Sequence, residues 1–215
     1  MGFDLHGLNP IINEAAPKIL SKFYNKDGWN NWEKMNKHDK NVYFAADAEH
    51  HKNNPGLYFR NNVWWWRPLW CFVSASCSDI LTDGDIESGS FNDGHEISKT
   101  KAMRIGARLR KMIKSGAVKE YEEQIMPGIE AAKKNNEKVE LELSVLKEKV
   151  RMNCPNLDGT TEKRYLAPIN YPEPYHSEYE KIYSKKNWDA SYPFDVDNVK
   201  NFADFCVQSG GFSIS

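Results

Sequence analysis

Residues 58–70 read YFRNNVWWWRPLW, and this stretch places four tryptophans beside two arginines and two adjacent asparagines. An indole is large and apolar apart from one N–H donor, so burying one Trp contributes roughly 1.5–3 kcal/mol. The four indoles cannot all face water at low cost, and we expect some of them to pack into the core. The others, beside Arg60 and Arg67, could form a surface on which a flat ligand stacks. The residues are compatible with both interpretations.

The same stretch predicts a strand followed by a helix. Residues 58–66 are rich in aromatic side chains, which favour strands. Pro68 suits the first turn of a helix, where its missing N–H costs nothing. Arg67 would then lie at the helix entrance, where its guanidinium can reach an anionic ligand or form an ion pair with a carboxylate.

Both ends of the chain alternate between apolar and polar residues. Residues 1–8 place Met1, Phe3 and Leu5 on one side, and GFSIS at 211–215 alternates in the same way. A period of two indicates strands, and we expect these two to pair. The sequence therefore predicts an α+β fold, with a small antiparallel sheet from both termini and the strand near 57–66, covered by four to five helices.

Composition limits the class of protein. The 215 residues are 40% hydrophobic with a formal net charge of −1, which predicts one domain over 1–215 carrying a helical and loop insertion at about 117–187. A charge near zero argues against a globally basic nucleic-acid binder, so nucleic acid is not the expected partner. We find neither an apolar run long enough to cross a bilayer nor a signal peptide. A soluble, cytoplasmic protein without a membrane partner is expected.

The four cysteines, Cys71, Cys77, Cys154 and Cys206, contain no CxxC pair. Structural zinc usually needs four ligands in paired spacings, so we expect free thiols, no metal and no cofactor. Cys71 and Cys206 fall at positions that are predicted to lie on apolar helix faces, where a thiol behaves as a small hydrophobe.

The segment 79–98 contains six acidic residues and no Lys or Arg. Asp83-Gly84-Asp85 resembles the start of a calcium loop, but the glycine stands at the wrong position for an EF-hand. Asn92-Asp93-Gly94-His95 predicts a turn that displays His95 in a polar loop before a helix. His95 is the histidine to which we assign a role.

A basic helix is predicted to follow. Ser98 has the character of an N-cap, and residues 99–114 form a helix that ends at Ser115-Gly116. Its buried stripe contains Ala102, Ile105 and Leu109, followed by Met112 or Ile113. Eight basic residues and no acids lie between 99 and 119. Arg104 and Arg108 either pair with the preceding acidic segment or form a cationic wall for phosphates or an acidic protein.

The remaining chain predicts two further long helices. Residues 126–128, Met-Pro-Gly, should separate the basic helix from a second helix at 129–152, whose stripe is Val139, Leu143, Leu146 and Val150. Residues 153–174 are predicted to be a loop. Asp195 or Asp197 then caps a helix with a stripe of Val199, Phe202, Ala203 and Cys206, which Ser209-Gly210-Gly211 ends.

Four blocks of this sequence, MGFDLHGLNP, YFRNNVWWWRPLW, FNDGHEIS and YPFDVDNVKNFADFCVQSGGFSIS, resemble an uncharacterised family of small proteins encoded by tailed phages. The matching blocks cover the N-terminus, 57–114 and 188–215, about half of the chain. The relatives carry paired cysteines around position 154 and end in Cys, whereas this chain retains Cys154 alone in CPNLDGTTEKR and ends in Ser215. The resemblance therefore gives no reason to expect a metal here.

The resemblance implies an accessory role in taking over the host or evading its defences, inside the infected bacterial cytoplasm. Our first hypothesis is a non-enzymatic binder that sequesters a nucleotide-like small ligand. Indoles would stack on a base, asparagines would bond to its edge, and arginines would meet phosphates. The candidate ligand-binding residues are Tyr58, Arg60, Asn61, Asn62, Trp64, Trp65, Trp66, Arg67, His95, Arg104 and Arg108.

Two alternatives belong to other classes. A protein-binding inhibitor of a host factor would use the charged helices at 99–114 and 129–152. The sequence is also compatible with a homo-oligomer. A metal-assisted hydrolase would use His95 with Asp83, Asp85 and Asp93. The sequence contains no HxxxH, HxH or nucleophile–base motif, so we expect no catalytic residues and no enzyme.

Overall fold

The computed structural model describes residues 2–24, 30–154 and 166–215. It confirms an α+β fold with one four-stranded antiparallel sheet. The strands are β1 (Gly2–Gly7), β2 (Tyr58–Asn62), β3 (His95–Ile97) and β4 (Phe212–Ile214). The α-helices in the described ranges are α1 (Lys18–Ser21), α2 (Lys37–Asn53), α3 (Val63–Ser76), α4 (Asp83–Ser88), α5 (Lys99–Ser115), α6 (Ala117–Asn153), α7 (Tyr175–Tyr183) and α8 (Val196–Gln208). These eight exceed the predicted four to five.

The sheet joins both termini, as predicted. Its strand order is β2-β1-β4-β3, and β1 pairs with β4 so that Leu5 lies opposite Ile214. Phe3 and Leu5 are buried on one face of β1, in agreement with the alternating pattern. Met1, which was predicted to share that face, lies outside the described residues. Strand β3 was not predicted, because three residues are too few to establish a period of two.

The predicted strand over 58–66 is too long. β2 ends at Asn62, and α3 begins at Val63 rather than near Pro68. The Asn62 side chain accepts hydrogen bonds from the N–H groups of Trp64 and Trp65, at 3.0 and 3.1 Å. An Asn N-cap satisfies donors that a helix start leaves unpaired, so the helix begins before the tryptophans. Arg67 consequently lies within α3 and not at its entrance.

Contacts divide the chain into two compact units. The first comprises Met1–Glu122 and Phe194–Ser215, and the second comprises Glu123–Pro193. The core of the first unit includes Phe59, Trp66, Phe202, Phe205 and Phe212, whose rings contact one another around the sheet. That the second unit behaves as an insertion stays a prediction.

The helices α5 and α8 confirm the sequence patterns that predicted them. Ser98 caps α5, which ends at Ser115, and Ala102, Ile105 and Leu109 are fully buried. Asp195 caps α8, and its stripe of Val199, Phe202, Ala203 and Cys206 is fully buried. Cys71 differs from its prediction: it is exposed. The buried face of α3 is set by Trp66, Leu69, Trp70 and Val73, and Cys71 lies to one side of it.

Helix α6 is longer than predicted. It continues through Pro127 as one helix, so the expected break at 126–128 is wrong. A proline inside a helix removes one hydrogen bond and costs about 3 kcal/mol, but the many helix-favouring residues on both sides support continuation. In the second unit Val139, Leu146 and Val150 are buried and Leu143 packs against the same cluster, as predicted. Tyr171 and Ile182 belong to this cluster.

Half of the predicted loop at 153–174, residues 155–165, lies outside the described residues, as does most of the CPNLDGTTEKR block. Helix α7 after it was not predicted. Among the described helices, none is long and apolar enough to cross a bilayer.

Candidate functional site

The tryptophans of α3 divide between the core and the surface. Trp66 is 0% exposed, and its ring stacks with those of Phe3 and Trp70, with ring centroids 5.3 Å away in each case. It therefore has no free face on which a base could stack. Trp64 is 40% exposed, and Trp65 is partly buried.

A concave site of about 460 Å³ lies between α3 and α4 in the first unit. We call it the α3–α4 cleft, and its lining comprises Trp66, Arg67, Trp70, Cys71, Ser74, Ala75, Ile86 and Ser90. The indoles hold the two helices together. The Nε1–H of Trp66 donates to the carbonyl of Gly89 at 2.8 Å, and the Nε1–H of Trp70 donates to that of Ile86 at 3.0 Å. The tryptophan pair thus builds the floor and anchors the opposite wall.

The accessible surface of the cleft is apolar with a few polar groups. Trp66 and Trp70 are buried and form only its floor, whereas Arg67, Cys71, Ala75 and Ser90 are exposed. Ligand sites in proteins are commonly clefts of roughly 300–1,000 Å³ with mainly apolar lining and a small number of polar groups. The volume and lining of the α3–α4 cleft agree with that description.

The Ser74 hydroxyl adds a polar group that lacks a partner. Its Oγ is buried and forms no hydrogen bond within the described residues. A buried polar group without a partner costs roughly 1–3 kcal/mol. The oxygen itself is not exposed, so a ligand in the cleft could supply the missing partner once the Ser74 side chain rotates toward it.

Tyr58 and Arg60 lie on β2 and not in the cleft. The Tyr58 hydroxyl donates a short hydrogen bond to Asp4, and the Nε of Arg60 lies 3.4 Å from the same carboxylate. Burial, with a further contribution from Asp4, raises the pKa of Tyr58 to about 12. Both side chains are therefore partners of β1.

Asn61 and Asn62 also use their side chains within the fold. Asn61 donates through Nδ2 to Oδ1 of Asn198 in α8 at 3.1 Å, and Asn62 caps α3 as described above. An amide already bonded in this way offers fewer groups to a base edge than the sequence suggested.

His95 begins β3, so its predicted place in a polar loop is wrong. Its Nε2 lies 3.0 Å from Oδ1 of Asp85, a carboxylate that is buried. The other Asp85 oxygen accepts from the backbone N–H of Thr82 at 2.8 Å, from the Thr82 hydroxyl at 2.7 Å and from Lys101 at shorter distance. Asp85 thus links α4, β3 and α5. The short helix α4, which lies within this acidic segment, was not predicted.

Arg104 and Arg108 face Asp79, as expected if the basic helix pairs with the acidic segment. Arg108 donates to both Asp79 oxygens, at 3.1 and 2.9 Å, and to the Ser76 carbonyl at 2.8 Å. Arg104 lies 3.7 Å from Asp79. The Arg108 hydrogen bonds are the main reason why the pKa of Asp79 is lowered. The cationic wall is partly neutralised by this contact.

Of the eleven sequence-predicted residues, the α3–α4 cleft contains Trp66 and Arg67. The sequence interpretation did not include Trp70, Cys71, Ser74, Ala75, Ile86 and Ser90 in a site. Trp70 and Cys71 follow Arg67 in the chain, and helical periodicity from Val63 would have placed Arg67, Cys71 and Ser74 close together on α3. No local signal indicated that Ile86 and Ser90 would face them.

Metal chemistry has little basis in the described residues. None of their His, Cys, Asp and Glu side chains come together in a group of three or more that could hold an ion. His50 and His51 use different partners, since His50 contacts Asn54 and His51 contacts Asp47. Comparison of the chain with protein families, with curated proteins and with solved structures finds no match.

Proposed function

We propose that this protein binds and sequesters a small nucleotide-like ligand in the α3–α4 cleft, without chemistry of its own. The observation that carries the proposal is the cleft itself, in which an apolar floor of indoles lies beside a guanidinium and a buried hydroxyl without a partner in the described chain. These groups suit a ligand with a flat apolar body and an anionic group. Nucleotides combine both.

The ligand would not stack on the tryptophans in the way that the sequence suggested. Because the faces of Trp66 are covered, a base would lie against the walls of the cleft instead of stacking on that indole. Arg67 would interact with the anionic group, and the Ser74 hydroxyl would bond to a polar atom of the ligand. Hydrogen bonds to charged groups contribute about 1.5–3 kcal/mol.

The biological setting of the proposal rests on the resemblance to proteins of tailed phages. Capture of a nucleotide-like defence signal in the host cytoplasm requires affinity and no catalytic residues, which suits a cleft of this composition. The other functions considered have weaker structural support. The basic residues Arg104 and Arg108 of α5 are ion-paired with Asp79, and both oxygens of Asp85 beside His95 are already bonded.

Native mass spectrometry of the protein purified from its host cells tests the proposal first. We expect a bound mass of several hundred daltons that disappears on denaturation and whose fragmentation identifies the ligand. Calorimetry with a panel of nucleotides would then measure affinity. Apo protein from cells, together with no binding to the panel, would overturn the proposal.

Matched variants locate the site. Arg67→Gln should weaken binding by roughly tenfold or more, because a charge-assisted contact is lost. Arg60→Gln, an exposed arginine outside the cleft, should leave affinity unchanged. Trp65→Ala reports on the alternative surface, since loss of binding in that variant alone would place the ligand against Trp64 and Trp65.

Ser74→Ala gives a signature that a merely structural role would not produce. Removing a buried hydroxyl without a partner should leave the free energy of unfolding unchanged or raise it by about 1 kcal/mol. The same change should reduce ligand affinity. A less stable protein with unaltered affinity would show that Ser74 does not serve the ligand.

A further inference from the structure

The outer face of α6 exposes large apolar side chains in the second unit. Leu141, Val145 and Met152 are 67%, 68% and 60% exposed. At about 100° per residue they fall within about 40° of one another around the helix. The buried residues Val139, Leu146 and Val150 lie on another face of the helix, centred about 140° away. The second half of α6 therefore has two apolar stripes, of which only the inner one is covered within its unit.

Hollows flank the exposed stripe on both sides of Leu141. One, of about 640 Å³, is lined by Lys133, Asn136, Glu137, Glu140, Leu141, Ser144 and Ala190. The other, of about 440 Å³, is lined by Leu141, Glu142, Val145, Leu146, Lys149, Glu178 and Ile182. A protruding apolar residue beside a hollow on the same surface meets the geometric condition for an isologous contact, in which each copy inserts into the other.

We infer that the outer stripe of α6 is a self-association surface, which a second copy of this chain covers by packing its own α6 antiparallel across a two-fold axis. With the axis near Val145, that residue lies against Val145 of the second copy. Leu141 then lies within about one helical turn of Met152 of the second copy, and symmetry repeats this approach on the other side of the axis. The stripe from Leu141 to Met152 is about 16 Å long.

The charges beside the stripe match this arrangement. In the antiparallel pairing, Glu142 of one copy lies level with Lys149 of the other on one flank, and Glu140 lies level with Arg151 on the other flank. Both pairs are opposite in sign, and symmetry repeats each of them. Complementary flanking charges set the orientation and register of paired helices.

These side chains already form ion pairs within the unit. Glu142 pairs with Lys185 at 2.6 Å, Lys149 with Glu178 at 3.2 Å and Arg151 with Glu148 at 2.8 Å. Exposed ion pairs contribute little net stability, so exchanging them for pairs between copies costs little. The apolar stripe supplies the affinity and the charges supply the register. Three side chains bury far less than the roughly 1,200 Å² of a stable interface, so we expect a weak dimer.

Sedimentation equilibrium of the full chain, from micromolar to millimolar concentration, tests the inference. The weight-average mass should rise from the monomer toward twice that value. The double variant Leu141→Glu, Val145→Glu should remain monomeric over the same range. Ile169→Glu, which changes an apolar residue of the same unit that is 83% exposed and off the stripe, is the matched control and should associate like the wild type.

Charge reversal tests the antiparallel register. Glu142→Lys alone and Lys149→Glu alone should each raise the dissociation constant by about threefold or more, since each places like charges together. The double reversal in one chain should restore association, because it again pairs opposite charges across the axis.

Two results would overturn the inference. One is a wild type that stays monomeric at every concentration. This result would overturn self-association even if the stripe were found to bind a helix of a host protein. The other is an association that persists in the Leu141→Glu, Val145→Glu variant. Failure of the double reversal to restore association would overturn the antiparallel arrangement.

Discussion

Asp85 is buried with both carboxylate oxygens bonded, although it belongs to a segment with six acidic residues. Burial alone would raise the pKa of its carboxyl group. Hydrogen bonds from Lys101, from the N–H and hydroxyl of Thr82 and from His95 outweigh that effect and hold the pKa well below its usual value of 3.8. The ionised form is therefore favoured by the folded state.

Asp85→Asn should lower the free energy of unfolding by about 3 kcal/mol at neutral pH, because it leaves Lys101 without its buried counterion. A carboxyl with a lowered folded-state pKa contributes stability that is complete above its unfolded-state value and is lost as the pH falls. The wild type should thus lose stability as the pH falls below about 4, and the variant should show a shallower loss. Urea unfolding at a series of pH values measures both effects.

Asp83→Asn is the matched control for this measurement. Asp83 lies in the first turn of the same helix and is exposed. Its variant should differ from the wild type by less than about 1 kcal/mol. Equal effects at the two positions would contradict the assignment of the stability to the Asp85 cluster.

The packing of α5 on α8 shows how one residue permits two helices to approach. Gly106 lies on the buried face of α5, where an added Cβ would stand 2.6 Å from Cγ2 of Val207 and 2.8 Å from the carbonyl oxygen of Ala203. Such separations are below van der Waals contact. The two helices can therefore pack this closely only if position 106 has no side chain.

Gly106→Ala should lower the free energy of unfolding by about 1–3 kcal/mol through overpacking, although alanine is the better helix former. Gly128→Ala is the control, since it makes the same change inside α6, where only the neighbouring residues and backbone of its own helix turn lie within 4 Å of the new Cβ. It should raise stability by about 0.5–1 kcal/mol. Thermal and urea unfolding of both variants would contradict the packing explanation if the two effects had the same sign.

In the molecule as a whole, the chain leaves the first unit after Glu122 and returns at Phe194. The two ends lie close together, because the rings of Tyr121 and Phe194 are 5.0 Å apart and both contact Phe72. Segments whose ends are adjacent can be inserted into a domain with little disturbance.

Replacing residues 123–193 with a short Gly-Ser linker should therefore leave the first unit folded. Its far-ultraviolet circular dichroism should retain helical signal, and its near-ultraviolet circular dichroism should retain the signal of packed aromatic side chains. A control chain that carries the same linker but retains residues 123–193 separates the effect of the linker from the effect of removing the second unit. Loss of cooperative unfolding in the shortened chain alone would show that the first unit depends on the second.

Several elements followed directly from local patterns in the chain. The alternation at both termini predicted β1 and β4, and caps at Ser98 and Asp195 together with apolar stripes predicted α5 and α8. Periodicity and capping depend on residues within a few positions of each other, so the sequence alone is sufficient to establish them. The chain likewise established that some of the four tryptophans had to be buried.

Contacts between distant residues were settled only by the tertiary structure. Trp66 is covered by Phe3 from the first strand. The carboxylate of Asp85 is hydrogen-bonded to Thr82, His95 and Lys101. The α3–α4 cleft forms because two indoles donate hydrogen bonds to carbonyls near the end of α4. The local pattern around a residue does not identify which distant side chain will cover it. Burial, hydrogen-bond partners and concave surfaces depend on that covering, and for this reason the position of the candidate site could not be obtained from the sequence.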